Sequence, residues 1–266
     1  MRRYLPFVLV GAVLLLTLGG GLLLFRSHSS PPLKIAEGKP GAEPSHIRGA
    51  QNAQVTLEEF GDYQCPPCGF LAATLLKVEH DYADSVRIVY RQFPLAMHPH
   101  AMTAASAAEA AGMQGKFWEM HDLLFQNSMT WGKEPPKPFI KVTSPDGSLQ
   151  EAAMGVRAVF SGYATKLGLD VQRFNRDMES EAVKARIKLD QERAASIGVD
   201  RTPILFINGV QIPFQSLGEK ELRGVIDSAL SGRALTFPSP SPTIAPPPQN
   251  PPPVPPSQNP TPVPPK

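Results

Sequence analysis

The stretch Val55-Thr56-Leu57-Glu58-Glu59-Phe60-Gly61-Asp62-Tyr63-Gln64-Cys65-Pro66-Pro67-Cys68 decides how the rest of the chain is read. Its first six residues alternate apolar and polar and begin β-branched, the pattern of a strand with Val55, Leu57 and Phe60 turned inward. Gly61 to Gln64 turn the chain. From Cys65 onward Phe70, Leu71, Thr74, Leu75 and Val78 recur at helical spacing. Pro66 and Pro67 fall in the first helical turn, where a missing N–H costs little. The order is strand, tight loop, helix, with Cys65 at the helix N-terminus. Unpaired N–H groups and the helix dipole favour a thiolate there, which makes Cys65 the candidate nucleophile. Cys68, one turn on, is placed to close a disulfide with it or to attack a mixed disulfide.

These are the chain's two cysteines. A pair so close in sequence closes a small loop that removes little entropy from the unfolded chain, so its purpose is chemical rather than structural. The 266 residues, 42% of them hydrophobic, suffice for one domain of ordinary size with appendages. A net charge of +2 with no basic stripe argues against nucleic acid as a partner.

Downstream, Val86 to Arg91 alternates strictly and predicts a second central strand. Ala101 to Gly112 predicts an alanine-rich helix, and Lys116 to Phe125 a second one with Phe117, Met120, His121 and Leu124 on one face. His121 reads as a packed or capping residue, and Phe117 and Trp118 as core. Trp131 to Gln150 holds Pro135, Pro136, Pro138, Pro145 and Gly147 and reads as a long surface loop. Helical periodicity returns at Ala153 to Leu167, then as two helices from Val171 to Ile197, so residues 101–197 form a mostly helical insertion. Ile204 to Ile207 and Val210 to Ile212 flank Asn208-Gly209 as a hairpin, and Glu219 to Leu230 closes the domain as an amphipathic helix.

The two ends differ in composition from this middle. Leu5 to Phe25 is an uncharged run of 21 residues, about 30 Å as a helix, the thickness of a bilayer core. It lacks an obvious small-x-small cleavage site and reads as an uncleaved anchor through the lipid bilayer rather than a cleaved signal. Arg2 and Arg3 precede it, so the N-terminus is expected in the cytoplasm and the rest outside. Residues 238–266 hold 15 of the chain's 30 prolines, with Lys266 as the one charge. That composition predicts an extended, disordered tail: a solvated appendage by default, a spacer or a partner's ligand otherwise. The expected organisation is an anchor at 1–26, a tether at 27–44, a folded domain at 45–237 and the tail.

The order of these motifs resembles the thioredoxin fold, and more closely the DsbA-like thiol:disulfide oxidoreductases, whose thioredoxin core is interrupted by a helical domain. The residues that carry the resemblance are Glu59-Phe60, Tyr63, Cys65 and Cys68; Phe93-Pro94-Leu95 with His98-Pro99; Phe117-Trp118, His121 and Leu124-Phe125; and Gly198-Val199, Thr202-Pro203 and Ile207-Asn208-Gly209. They run over about residues 45 to 231. The resemblance implies an α/β thioredoxin-like domain in which Cys65 attacks, Cys68 resolves, and Pro203 is a cis-proline that turns the backbone of Thr202 toward the sulfurs. It also places Glu59 beneath the motif as a proton shuttle for Cys68, against the alternative of an edge glutamate without function. Glu58 is expected on the opposite face.

One departure stands out. Strongly oxidising members of the family often carry a histidine between the cysteines, whereas here Pro66 and Pro67 shape the site and supply neither charge nor N–H, which implies a milder oxidant. The proline-rich stretch 131–150 is a second departure, expected at the rim of the substrate groove. A zinc site of Cys65, Cys68, His98 and His100 is disfavoured because it lacks a compact repeated ligand pair; no metal or cofactor is expected. The resemblance thus implies an enzyme on the extracytoplasmic, periplasmic side of a bacterial inner membrane. It would exchange disulfides with cysteine-containing exported proteins and be recycled by a membrane redox partner. The alternatives are a reductase or isomerase using the same pair, or a non-catalytic binding module of this fold.

Overall fold

The computed structural model describes residues 38–133, 139–143, 149–153 and 155–237. Strands β1 (Ile47–Gly49) and β2 (Val55–Gly61) lead into helix α1 (Pro66–Asp81) and strand β3 (Val86–Gln92). The insertion follows as α2 (Ala101–Gly112), α3 (Phe117–Gln126) and the single turn α4 (Ser128–Trp131). A hairpin of β4 (Phe139–Thr143) and β5 (Leu149–Ala153) comes next, then α5 (Val156–Lys166), α6 (Val171–Asp177) and α7 (Glu181–Ser196). Strands β6 (Ile204–Ile207) and β7 (Val210–Gln211) and helix α8 (Glu219–Leu230) return to the core.

Five strands pair in the order β1-β3-β2-β6-β7. β2 runs parallel to β3 and antiparallel to β6, so Glu59 stands between Tyr90 on one side and Leu205 on the other. Both faces of β2 are covered, which is why its burial is nearly continuous. On one face Val55, Leu57, Val86 and Ile88 pack with Leu71, Leu75 and Val78 of α1 and Leu222, Val225 and Ile226 of α8. On the other, Phe60 meets Phe206 edge-on, with Ala194 and Val199 beside them. Burying each such Leu or Phe contributes about 1.5–3 kcal/mol, so β2 is the best-anchored element of the sheet.

The insertion has its own core, in which Trp131, Phe160, Phe174, Met120 and Leu124 join Tyr63, Tyr90 and both cysteines in one cluster. Helix α2 sits at its centre. Seven of its alanines are buried, Ala101, Ala104, Ala105, Ala107, Ala108, Ala110 and Ala111. Such small side chains let α3, α5, α6 and α7 approach from several sides.

Four expectations are corrected. Residues 131–150 are not one loop: Trp131 ends α4, fully buried with its indole N–H donated to Leu124 O, and residues 139–143 and 149–153 pair as an antiparallel hairpin. The alternation Ile140-Lys141-Val142-Thr143 carried that signal beneath the prolines. Ala153 consequently belongs to β5 and not to the following helix. Phe70 does not join the core face of α1; it is 78% exposed. Residues 38–44, placed in the tether, are not free but lie against α7: Ala42 is buried and its N–H donates to Asp190 Oδ1 at 2.8 Å. Among the described residues no helix is long and apolar enough to cross a membrane. The expected span 5–25 and the tail 238–266 lie outside them.

Candidate active site

Strand β2 ends at Gly61, and the four residues that follow are locked by Asp62. Its carboxylate is fully buried and accepts from Gln64 N (2.7 Å), Leu95 N (2.9 Å) and His98 Nδ1 (2.7 Å). The first of these closes an Asx turn, the second ties the loop to the end of β3. Asp62 O then accepts from Cys65 N at 3.1 Å, which sets Cys65 at the N-cap of α1. Gln64 adds two more ties, donating to Gly132 O and accepting from His100 N, each at 2.7 Å.

Both cysteines are free thiols, so the structure is the dithiol form. Cys65 is 7% exposed and Cys68 is fully buried, so an incoming sulfur reaches Cys65 first. Pro66 and Pro67 occupy the first two positions of the helix and have no N–H. Among the first three residues of the helix the N–H near the sulfurs is therefore that of Cys68, and the helix end helps the thiolate less than a full set of donors would. Even so, Cys65 is brought down to about 6: the Cys68 thiol hydrogen-bonds it, and Thr202 and the Cys68 N–H assist, against burial and the charge of Asp62. Cys68 goes the other way. Burial, its bond to Cys65 and the charge of Glu59 push it well above the usual thiol range.

The Thr202-Pro203 peptide is cis, and Thr202 O lies 3.8 Å from Cys65 Sγ. Glu59 is 1% exposed, on the same face of β2 as Val55 and Leu57, and its Oε1 has no hydrogen-bond partner among the described residues. Burial raises its carboxyl to about 8, with the Cys65 charge adding to the shift. An edge-exposed Glu59 is thus excluded. Tyr90, paired with Glu59 across β2 and β3, fills the space above Gly61: a Cβ there would lie 2.6 Å from the Tyr90 ring. Glu58 faces the other way, onto Arg91 and Arg193.

The structure therefore gathers Cys65, Cys68, Pro66, Pro67, Thr202, Pro203 and Glu59 at one end of β2. His98 turns to Asp62, and among the described residues no cluster of three or more His, Cys, Asp or Glu is disposed to hold a metal. His121 is buried in an aromatic cage of Tyr63, Tyr90, Trp118 and Phe125, and burial lowers its imidazole. Asp62 was missed by sequence reasoning, although an Asp after Gly in a tight loop is itself a turn signal.

With this geometry in view, the comparisons with known proteins decide the family. A family model described as Thioredoxin matches residues 42–228. The chain belongs to the thioredoxin family. A thioredoxin-like oxidoreductase from Silicibacter pomeroyi has 26% identity and a TM-score of 0.53, covering 71% of this chain and 94% of that one. The fold is shared with the thiol-disulfide exchange protein alpha-DsbA2 from Wolbachia pipientis, at 18% identity and a TM-score of 0.51, over 70% of this chain and 87% of that one. Among curated proteins, the Na(+)/H(+) antiporter NhaA 1 of Salinispora arenicola is 35% identical over 191 residues, which is 71% of this chain. The thioredoxin-like chain spans about a quarter of that relative's length, 25%.

Proposed function

We propose that the protein is a membrane-anchored thiol:disulfide oxidoreductase that passes a disulfide from Cys65–Cys68 to cysteine-containing exported proteins. The observation that carries this reading is the opposite tuning of the two thiols over one buried acid. A substrate thiolate attacks Cys65 Sγ of the oxidised pair, the S–S bond breaks, and Cys68 leaves with the electron pair. Its high proton affinity is met by Glu59, which holds a proton at neutral pH and stands ready to give it. A second substrate thiolate then attacks the mixed disulfide, and Cys65 departs as a thiolate, the form it favours near neutral pH. Two electrons have passed from substrate to protein, to be removed by a membrane redox partner. Thr202 O, beside Cys65, is the acceptor to which a substrate backbone would hydrogen-bond.

The apolar run Leu5 to Phe25 supports anchoring in a bacterial inner membrane with the domain on the extracytoplasmic side. The similarity to a stretch of an antiporter is consistent with work at a membrane. A value of about 6 for Cys65 falls between roughly 3.5 for a strong DsbA-type oxidant and roughly 7 for thioredoxin, in keeping with a milder oxidant. The deciding experiment is the reduction potential of the protein equilibrated against glutathione, with Cys68→Ser as a control. A value toward −120 mV, roughly that of a strong oxidant, is expected for a disulfide donor; one near thioredoxin's, about −270 mV, would make the protein a reductase.

A further inference from the structure

Between Ser196, the last residue of α7, and Ile204, the first of β6, a loop of seven residues brings Thr202 to its place beside Cys65. Its far end is held by the sheet, where Ile204 pairs with Phe60 of β2. Its near end is held by α7: Gly198 turns the chain with a φ of 75°, Val199 N donates back to Ala194 O at 2.9 Å, and Val199 is buried in one cluster with Phe60, Ala194 and Ile204. The end of α7 is fixed in turn by the segment ahead of the first strand. Ala42 N donates to Asp190 Oδ1 at 2.8 Å and Arg193 Nη1 to Lys39 O at 2.9 Å, so two residues on one face of α7 hold the main chain of 39–42. One step on, Ser196 Oγ accepts from Lys39 N at 2.9 Å and donates to Arg193 O at 2.7 Å. Both polar groups of the Lys39 backbone are thus bound to the last turn of α7. Gly38 lies so close to that turn that a Cβ on it would overlap Ser196 Oγ and stand 2.5 Å from Ile197 Cγ2. The Lys39 side chain is 65% exposed and meets Glu192 at 3.5 Å, a surface pair of little weight.

We propose that Gly38, the Lys39 backbone and Ser196 form a clasp that positions the Thr202 carbonyl for a substrate chain, acting through the loop 197–203 and touching neither substrate nor sulfur. This rests on the reading of Thr202 O as the acceptor of a substrate backbone. With the clasp closed, the loop is fixed at both ends and a substrate strand meets Thr202 O already in place. With the clasp open, the last turn of α7 frays and the loop has to be ordered as the substrate binds. That cost falls on a substrate that pairs its backbone with the loop. A small thiol without a backbone escapes it, because the sulfurs are held by α1 and by Asp62 and not by α7. Ser196 is therefore a positioning residue for chain-like substrates in particular.

The test compares two reductants of the oxidised full chain by stopped flow, an unfolded peptide with reduced cysteines and dithiothreitol, alongside deuterium uptake in peptides covering residues 197–202. Ser196→Ala removes the hydroxyl without lowering helix propensity. It is expected to slow the reaction with the peptide about two- to fivefold, the scale of one hydrogen bond, and to leave the rate with dithiothreitol unchanged. Deuterium uptake at 197–202 is expected to quicken while β2 keeps its protection. Gly38→Val, which wedges the segment off α7, is expected to act in the same way, Ser196→Thr to behave as wild type, and Lys39→Ala to change nothing. Unaltered uptake at 197–202 in Ser196→Ala overturns the proposal, as does an unaltered peptide rate. Equal slowing with both reductants overturns it too, since a general loosening of the site would give that. If Gly38→Val does not fold, Ser196→Ala decides. A wild-type disulfide that neither thiol reduces would sink the proposed function, whereas the uptake would still read whether the clasp holds the loop.

Discussion

Glu58 and Glu59 are neighbours on one strand, equally acidic in composition, and the fold has made them opposites. Glu58 accepts from Arg91 Nε at 2.9 Å and from Arg193 Nε and Nη2 at 2.7 and 2.6 Å. Burial pushes its carboxyl up, but the hydrogen bonds and charges of the two arginines outweigh this and leave it below the usual range. Glu59 is deeper, has a bare Oε1, and is raised to about 8. Alternation along β2 sends one side chain to the arginine-lined face and the other to the sulfurs. Pairing fixes a charge and lends it to structure; isolation keeps a proton mobile and lends it to chemistry.

The comparison breaks first at Glu58. Replacing it by Gln strips a buried partner from two arginines, and denaturant unfolding at neutral pH is expected to show a loss of about 3–5 kcal/mol. A loss under 1 kcal/mol, the scale of exposed pairs, would mean that water reaches the pair and that Glu58 is not structural. The Cys65 alkylation profile of the same variant is expected to stay where it is.

Glu59→Gln sharpens the contrast by removing a pH slope. Because the folded carboxyl is raised from 4.5 to about 8, the folded state holds the proton more tightly than the unfolded chain. That stability is fully present below 4.5 and is lost as pH rises through about 8. Glu58, depressed when folded, slopes the other way: its contribution is present above 4.5 and lost as pH falls below that. Unfolding of Glu59→Gln at alkaline pH is expected to show a relative gain on the order of 2–4 kcal/mol that disappears in acid. Identical slopes in wild type and variant would show that Glu59 is solvated. Loss of the proton donor also predicts slower release of Cys68, visible in stopped-flow reduction of the disulfide.

The smallest effect is expected at Ser180, whose hydroxyl caps α7 by accepting from Val183 N at 3.2 Å. Helix α7 delivers Arg193 to Glu58 and Asp190 to Arg91. Ser180→Ala is expected to cost about 1 kcal/mol in thermal unfolding and to leave the slope due to Glu59 intact.

What the sequence disclosed was local. The C-x-x-C at a helix start, the Asn208-Gly209 hairpin and the helix Glu219–Leu230 each depend on residues a few positions apart, and each is found where its pattern places it. Phe70 shows the limit of periodicity, which marks an apolar stripe but not whether a neighbour covers it. Residues 131–150 misled because their prolines and glycine outweighed an alternating stretch between them. The buried ions were illegible for a different reason. Arg91 meets Asp190 across 99 positions and Glu58 meets Arg193 across 135, and a charge alone in sequence does not reveal which distant charge will reach it.

The arginines of this network also grip the segment 39–44, and they do so by its backbone. Arg193 donates to Lys39 O, Arg91 to Ala42 O, and Arg186 to Glu43 O and Pro44 O. A carbonyl is the same whatever side chain accompanies it, so the hold is blind to much of the text it holds. Over evolutionary time the exposed Lys39 is then free to drift while the path of the chain is kept, whereas Glu43 also serves by its side chain, accepting from Ser45 N and Oγ and pairing with Arg91 Nη2. Gly41 is held more tightly still, since a Cβ there would lie 2.5 Å from Arg91 Nη1, and among descendants of this protein it is a letter that selection is expected to guard.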